Sequence, residues 1–362
     1  VLRILFVGEN WHGSNARSCS EALRRLGCDV LDIDSQSFIP QVSQFTSRLV
    51  RKLLWFRLVD EFNGRILSMA ESFRPDMFVA FKGNYIHADT LESLSGRGIP
   101  LYNYFPDTSA FNHGEWLPKS LPQYDCIFYT KPFWYTDVIR QIKLKAAAFL
   151  PHGYDPELHR TVELDARDVL DYGCDVSFIA THSQYKERLL EGLIHLRPNL
   201  DLCIWGGGWT SRIKSPELRR HVKGFPLLGE LYARAIQSAR VNLAIMNGPA
   251  SGASSGDLTT SRTYTIPASG GFMLHERNSE VLDLYHENEE IACFDSVEEL
   301  AEKIDYYLAH PMERASVARA GHVRCVPAYS YDDRMAKMVR WHFGRPGIGN
   351  PQPLPVEVVN VN

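Results

Sequence analysis

The residues best equipped for chemistry in this 362-residue chain lie in one stretch, Asp257-Leu-Thr-Thr-Ser-Arg-Thr-Tyr-Thr-Ile-Pro-Ala-Ser-Gly-Gly271. Thr259, Thr260, Ser261 and Arg262 fall at the predicted start of a helix. Free backbone N–H groups and the positive end of the helix dipole suit a diphosphate there. A guanidinium adds a forked, charged contact. A plain N-cap needs one such side chain, so the run points to anion binding. Lys186, after another apolar run, supplies a second cation; alone it would be a solvated lysine.

Three further positions have side chains suited to proton transfer. His12 lies in the loop Gly8-Glu-Asn-Trp-His-Gly13, just past the first apolar run. An imidazole titrates near neutrality and can take a proton from a hydroxyl; the plain alternative is a structural hydrogen bond. Asp107 and His113 follow a later run, in Pro106-Asp-Thr-Ser-Ala-Phe-Asn-His-Gly114, and either face the same site or cap the next element. The first loop is not Gly-x-Gly-x-x-Gly, so the dinucleotide fingerprint fails on spacing. Asp32-Ile-Asp34 has the Asp-x-Asp form that metal-dependent sugar transferases use, but it reads better as a surface turn.

The elements that must position these residues alternate. Apolar runs at 2–7, 30–33, 77–81, 100–104, 126–130 and 147–150 are separated by helical patterns at 18–26, 43–73 and 90–94. The turn-rich Pro151-His-Gly-Tyr-Asp-Pro156 reads as an interdomain connection. Alternation then restarts with strands predicted at 175–180, 200–205, 241–245, 271–275 and 290–294, the last of the chain. Helices are predicted at 186–196, 232–239 and 297–308, the last opened by Ser296 and Glu299 in a capping-box pattern, with more helix to about 343. The Gly/Ser/Thr segment 247–261 is long enough to read as a functional loop. This is an α/β chain of two parallel-sheet halves, whose ligands bind beyond the carboxyl ends of the strands and in the cleft between the domains.

Composition narrows the functional classes. Hydrophobic residues make up 44% and charged residues 23%, as in globular proteins, which excludes disorder throughout. The net charge of −4 argues against a nucleic-acid partner. No window of about 18 apolar residues is present. The first residues read as a strand rather than a signal peptide, and the seven cysteines form no Cys-x-x-Cys pair. They are expected as reduced thiols of a cytoplasmic protein without a zinc site. The segment 41–58 mixes Arg48, Arg51, Lys52 and Arg57 with Leu49, Leu53, Leu54, Trp55 and Phe56. It reads either as a weak membrane-surface contact or as a helix packed on the sheet. The sequence carries no signal of oligomeric state.

The blocks Asp175-Val-Ser-Phe-Ile-Ala, Tyr185-Lys-Glu-Arg-Leu, Trp205-Gly-Gly-Gly-Trp209 and Ser261-Arg-Thr-Tyr-Thr-Ile-Pro-Ala-Ser-Gly-Gly-Phe-Met-Leu resemble the CgeB-like glycosyltransferases, relatives of spore maturation proteins and of family-4 glycosyltransferases. So do 295–311, Ala320-Gly-His and Tyr329-Ser-Tyr-Asp-Asp-Arg334. The resemblance is good from about 150 to 340 and looser before. It implies a GT-B fold: a Rossmann-like acceptor domain at 1–152, a Rossmann-like donor domain at 153–330, a crossover helix at 331–345 returning to the first domain, and an extended tail at 346–362. It implies a nucleotide-sugar donor, a UDP-sugar first and GDP- or dTDP-sugars next, with no metal or other cofactor required.

By the same resemblance, Lys186 binds the donor diphosphate with Thr259, Thr260, Ser261 and Arg262. Gly224-Phe225-Pro226 matches a turn whose backbone reads the base, with Gly206 beside it. Family-4 enzymes carry two glutamates eight positions apart, on the donor sugar and the ribose; here those positions hold Asp257 and Thr265. The catalytic set expected is therefore His12, Asp107, His113 and Asp257, transferring a sugar to a saccharide or other hydroxyl acceptor. His12 is the first choice of base if the reaction inverts, and Asp107 the second. Glu276 reads equally well as a surface residue. The rivals are the same fold acting on DNA or another polymer, a nucleotide-sugar-binding protein without turnover, and a nicotinamide enzyme.

Overall fold

The computed structural model describes residues 1–37, 48–344 and 358–360, with backbone alone for 48–53 and 358–360. The chain divides into two compact units, one of residues 1–151, 249–255 and 334–362 and one of 152–248 and 256–333.

Unit 1 begins with β1 (Arg3–Gly8), α1 (Asn15–Arg25), β2 (Asp29–Asp34), α2 (Arg48–Phe73), β3 (Met77–Phe81), α3 (Ala88–Gly96) and β4 (Leu101–Phe105). It continues with α4 (Trp116–Ser120), β5 (Cys126–Tyr129), α5 (Trp134–Ile139) and β6 (Ala146–Phe149). In unit 2 come α6 (Ala166–Tyr172), β7 (Cys174–Ile179), α7 (Gln184–Leu196), β8 (Leu202–Trp205), α8 (Trp209–Arg212), α9 (Pro216–Arg219), α10 (Glu230–Ser238) and β9 (Ala239–Ala244). There follow α11 (Ser261–Ala268), β10 (Met273–Glu276), α12 (Ser279–Leu284), β11 (Ala292–Phe294), α13 (Val297–Ala309), α14 (Pro311–Cys325), α15 (Tyr331–Phe343) and β12 (Val358–Asn360).

Unit 1 holds a seven-stranded sheet in the order β12-β6-β5-β4-β3-β1-β2, parallel except for β12, which runs antiparallel to β6. Unit 2 holds a parallel five-stranded sheet in the order β11-β10-β9-β7-β8. Strands buried on both faces read as continuous apolar runs, which is why β3 and β4 are buried end to end. Within the second sheet the pleat separates Val176, Phe178, Leu202 and Ile204 into one core layer and Ile179, Cys203 and Trp205 into the other. Six of the seven cysteines are buried. No described helix is long and apolar enough to cross a membrane.

The alternation read from the sequence corresponds to strands within one or two residues, apart from β12, which follows the strand expected to be last. Helices α6, α8, α9 and α12 have four to seven residues, too few turns for a 3.6-residue period to show. The helix expected over 43–73 is present from Arg48, and 43–47 lie outside the described residues. So does the tail 346–362 except at β12. Of the basic side chains of that helix, Arg57 is described, exposed and paired with Glu61 at 3.5 Å.

Two excursions of the chain belong to unit 1. Segment 249–255, part of the long loop, is held by the Ser254 N–H donating to Asp137 Oδ2 at 2.8 Å. The end of α15 packs on β4 and β5, with the Trp341 ring 5.5 Å from Tyr102 and 5.8 Å from Phe128, and His342 Nδ1 2.9 Å from the Tyr102 hydroxyl. Truncating a partly exposed tryptophan in such a contact costs about 2–3 kcal/mol. Trp341→Ala should therefore lower hydrogen-exchange protection in β4 and β5 while β7–β9 keep theirs. Protection lost only in unit 2 would contradict the assignment of the helix end to unit 1.

Candidate functional site

Each sheet reverses its winding once. In unit 1 the reversal lies between β1 and β3, and in unit 2 between β7 and β9. At such a switch point the connections leave toward opposite faces and a crevice opens beyond the carboxyl ends of the two strands. The candidate residues sort into two groups, one at each reversal.

In unit 2, α7 is capped by Ser183, whose Oγ accepts from the Lys186 N–H at 3.4 Å. This places Lys186 in the first turn, with Nζ donating to the Thr181 carbonyl beyond β7 at 3.1 Å. Arg262 lies in the first turn of α11, stacks over Phe178 at 5.8 Å, and donates from Nη2 to the Ile245 carbonyl beyond β9 at 2.7 Å. Both cations thus converge on the same reversal. Lys186 is buried, and burial with the nearby Arg262 charge pulls its pKa down to about 7, against the opposing pull of Asp257 and Glu276. Burial also lowers that of Arg262, and its Nε is buried with no hydrogen-bond partner among the described residues. Two cations with a free donor form a ready anion site.

The other hydroxyls of the run have separate duties. Thr259 is fully buried and donates to Glu280 Oε1 at 2.8 Å. The Thr260 N–H donates to Thr263 Oγ1 at 3.1 Å, and that oxygen lies 2.9 Å from His275 Nε2. Burial drives His275 down to about 4, so it stays neutral. Ser261 and Arg262 remain partly exposed. Thr265 is buried, with Oγ1 2.8 Å from the Tyr232 hydroxyl. Asp257 Oδ2 accepts from Asn247 Nδ2 at 2.6 Å, and its N–H donates to the Asn247 carbonyl at 3.0 Å, closing the base of the long loop.

Gly206 ends β8 at φ +128°, where a Cβ would come within 2.2 Å of the Ala180 carbonyl oxygen. Its N–H donates to the Phe225 carbonyl at 3.1 Å, joining it to the turn at Gly224. The Phe225 ring is half exposed and edge-on to Trp205 at 5.2 Å. Glu276 does not behave as a surface residue. Its carboxylate accepts from the Met246 N–H and from the Tyr185 hydroxyl, tying β10, β9 and α7 together.

In unit 1, Glu9 follows β1, Lys82 follows β3 and Asp107 follows β4. Lys82 Nζ stands 3.6 Å from Glu9 Oε1 and 3.5 Å from Asp107 Oδ2. His113 Nε2 lies 3.0 Å from the same Asp107 oxygen. Burial opposes the charge on Lys82, but Asp107 and Glu9 outweigh it and hold the pKa above the usual lysine value. Lys82 adopts φ +66°, a left-handed backbone that costs a non-glycine residue about 1–3 kcal/mol. It is pinned by its N–H to the Tyr104 carbonyl and by Asn103 Nδ2 to its own carbonyl, at 3.0 and 2.9 Å. His12 is exposed in the turn after β1 and takes no part in these ion pairs. Asp32 is occupied by Ser20 and Arg24, both at 2.6 Å, and Asp34 caps the following turn. The sequence reading names none of Glu9, Lys82, Tyr185 and Asn247 as a site residue, although Glu9, Lys82 and Asn247 lie within two residues of predicted strand ends and Tyr185 lies in the first turn of α7.

Residues 183–340 match the family model described as glycosyl transferase-like. No curated protein matches the chain. Among solved structures, the sucrose-phosphate synthase of Thermosynechococcus elongatus aligns over 94% of this chain and 98% of its own, at 16% identity and TM-score 0.64. Alr3699/HepE of Anabaena in complex with UDP-glucose aligns over 94% and 99%, at 12% identity and TM-score 0.65. AviGT4, a glycosyltransferase involved in avilamycin A biosynthesis, aligns over 94% and 96%, at 16% identity and TM-score 0.60. The fold is GT-B. The stretch that matches the family model lies mostly within unit 2.

If Lys186 meets a diphosphate, its lowered pKa gives that binding a pH signature. A bound diphosphate favours the charged amine, so binding must recharge the fraction that is neutral above about pH 7. Once UDP is fully ionised, its affinity should fall by up to about tenfold per pH unit from 7.5 to 8.5. Calorimetry on Lys186→Ala should show weaker binding and a flat profile; the same slope in the variant would remove Lys186 from the anion site.

Proposed function

We propose that the chain is a glycosyltransferase, CgeB-like in its donor unit, that moves a sugar from a nucleoside-diphosphate sugar to an acceptor hydroxyl. The observation that carries this reading is the convergence of Lys186 and Arg262 on the unit 2 switch point, with a buried guanidinium N–H left over. The family match over 183–340 supports transfer, and the UDP-glucose in the HepE structure supports a UDP-sugar ahead of GDP- and dTDP-sugars. The HepE structure with UDP and glucose supports a saccharide acceptor.

In this reading the bond from the anomeric carbon to the β-phosphate oxygen breaks. Lys186, Arg262 and the N–H groups opening α11 take up the charge on the leaving diphosphate, work that needs no metal. Gly206, Gly224 and Phe225 hold the nucleoside by backbone and ring, and Asp257 and Glu276 orient the donor sugar. The acceptor oxygen bonds to the anomeric carbon and gives up its proton. For inversion the candidate bases are His12 and the Asp107–His113 pair; for retention the proton passes to the leaving diphosphate oxygen and no enzyme base is needed. The balanced charge favours a small acceptor over DNA.

A panel of UDP-, GDP- and dTDP-sugars tests this by thermal shift and by release of nucleoside diphosphate. A donor at about 100 times its Kd stabilises the native state by about 2.7 kcal/mol, which raises Tm measurably. One donor class should raise Tm and be turned over, and Arg262→Ala should cut turnover by about 100-fold or more. Binding without release of nucleoside diphosphate would identify a non-catalytic binding protein. No shift with any donor would overturn the reading.

A further inference from the structure

Two cysteines of unit 2 lie on neighbouring strands and have no part in the proposed transfer. Cys174 opens β7, and Cys203 stands on β8, the edge strand of the sheet. We infer that these two thiols form a redox modification site, in which a hydroperoxide oxidises Cys203 and Cys174 closes the product to a disulfide. The inference is independent of the glycosyltransferase reading.

Strand register brings the two side chains together. Val176 of β7 pairs with Leu202 of β8, and its N–H donates to the Asp201 carbonyl at 3.0 Å. In a parallel ladder a residue that donates to one neighbour of its partner accepts from the other, so the Val176 carbonyl faces the Cys203 N–H. The Cys174 thiol donates to that same carbonyl at 3.3 Å. Its side chain therefore curls forward along β7 toward Cys203. Both side chains belong to one core layer, and the two thiols are within hydrogen-bond reach of each other.

The surroundings decide which sulfur reacts first. The Lys223 N–H donates to the Ile204 carbonyl of β8 at 2.8 Å, and its ammonium reaches the Cys203 sulfur. Lys223 is exposed, so Cys203 lies close to solvent although little of its own surface is open. A hydrogen bond from the Cys174 thiol lowers the Cys203 pKa, and Lys223 adds to this against burial and Asp201. The same bond, together with burial, raises Cys174. Cys203 is thus the thiolate and Cys174 the partner that keeps its proton, the roles of an attacking and a resolving thiol. With hydrogen peroxide, the Cys203 sulfur bonds to one peroxide oxygen, the O–O bond breaks, and the departing hydroxide takes up a proton as water. The Cys174 sulfur then attacks the sulfenic acid at Cys203. The S–S bond forms, the S–O bond breaks, and the second hydroxide leaves as water with the Cys174 proton. Two thiols are oxidised to one disulfide, and one peroxide is reduced to two waters.

Cys28 supplies the control. It is the cysteine that is not buried, and partial burial of its thiol raises its pKa. Exposure alone would make Cys28 react first, whereas the proposed site makes Cys203 react first. The full chain is treated with sub-millimolar hydrogen peroxide, quenched with N-ethylmaleimide and read by peptide mass mapping. A disulfide between Cys174 and Cys203, reversed by dithiothreitol, should form while Cys28 is still alkylated. Cys174→Ala should stall at a sulfenic acid on Cys203, trapped by dimedone. Lys223→Met should slow oxidation of Cys203 by about fivefold or more. Lys223 is exposed, so this variant keeps the test decisive should Cys174→Ala fail to fold. Oxidation of Cys28 ahead of Cys203, absence of a disulfide between Cys174 and Cys203, or an unchanged rate in Lys223→Met would overturn the site.

Discussion

The reversal of winding in each parallel sheet is the constraint on which both candidate sites depend. Backbone pairing is satisfied inside each sheet, and the helices cover its faces, so ligand-accessible polar groups concentrate where the winding turns. In unit 2 this places Lys186 and Arg262 near one another in a partly dry environment, an arrangement that is costly without an anion. The depressed pKa of Lys186 expresses that cost. The carboxylates of Asp257 and Glu276 lessen it, yet both are held by hydrogen bonds of their own, to Asn247 and to Met246 and Tyr185. A diphosphate would relieve both cations together, so the electrostatics of the unit 2 switch point and the chemistry of the proposed donor point the same way.

Most of this frame was legible in the sequence because a parallel strand buried on both faces leaves an unbroken apolar run. The runs at 77–81 and 126–130 correspond to β3 and β5 almost residue for residue. The first-turn positions of Arg262 and Lys186 were legible from the predicted helix starts, though not what their side chains meet. Division of labour within Thr259–Ser261 was not legible. Which hydroxyl turns inward depends on what lies opposite: Glu280, which accepts from Thr259, arrives from α12, and His275, beside Thr263, arrives from β10. Glu276 escaped for the same reason, since its partners come from β9 and α7.

The unit 1 cluster illustrates another limit. Nothing in Phe81-Lys82-Gly83 signals a left-handed lysine, because the glycine beside it is the residue expected to take positive φ. Both take it here. Lys82 is held in that conformation by the Tyr104 carbonyl and the Asn103 amide, both on the neighbouring strand, so the strain depends on sheet register rather than local sequence. The ion pairs then join the residues just past three adjacent strands. Asp107 and His113 were visible as candidates from sequence, whereas the lysine that holds Asp107 became visible only with the strand order.

Asp257 and Thr265 are where the chain departs from the paired glutamates of the family it resembles, and the structure gives that departure a physical meaning. Thr265 is buried and shares a hydrogen bond with Tyr232. A glutamate in that place would bring a carboxylate into a site with only a phenol as partner, at the usual cost of a poorly paired buried charge. Tyr232 in turn lies close enough to Arg262 to influence its charge. Threonine therefore keeps the first turns of α11 packed beneath the guanidinium without competing for it. In the proposed reading, the Nε of Arg262, without a hydrogen-bond partner among the described residues, is then the donor that meets the diphosphate.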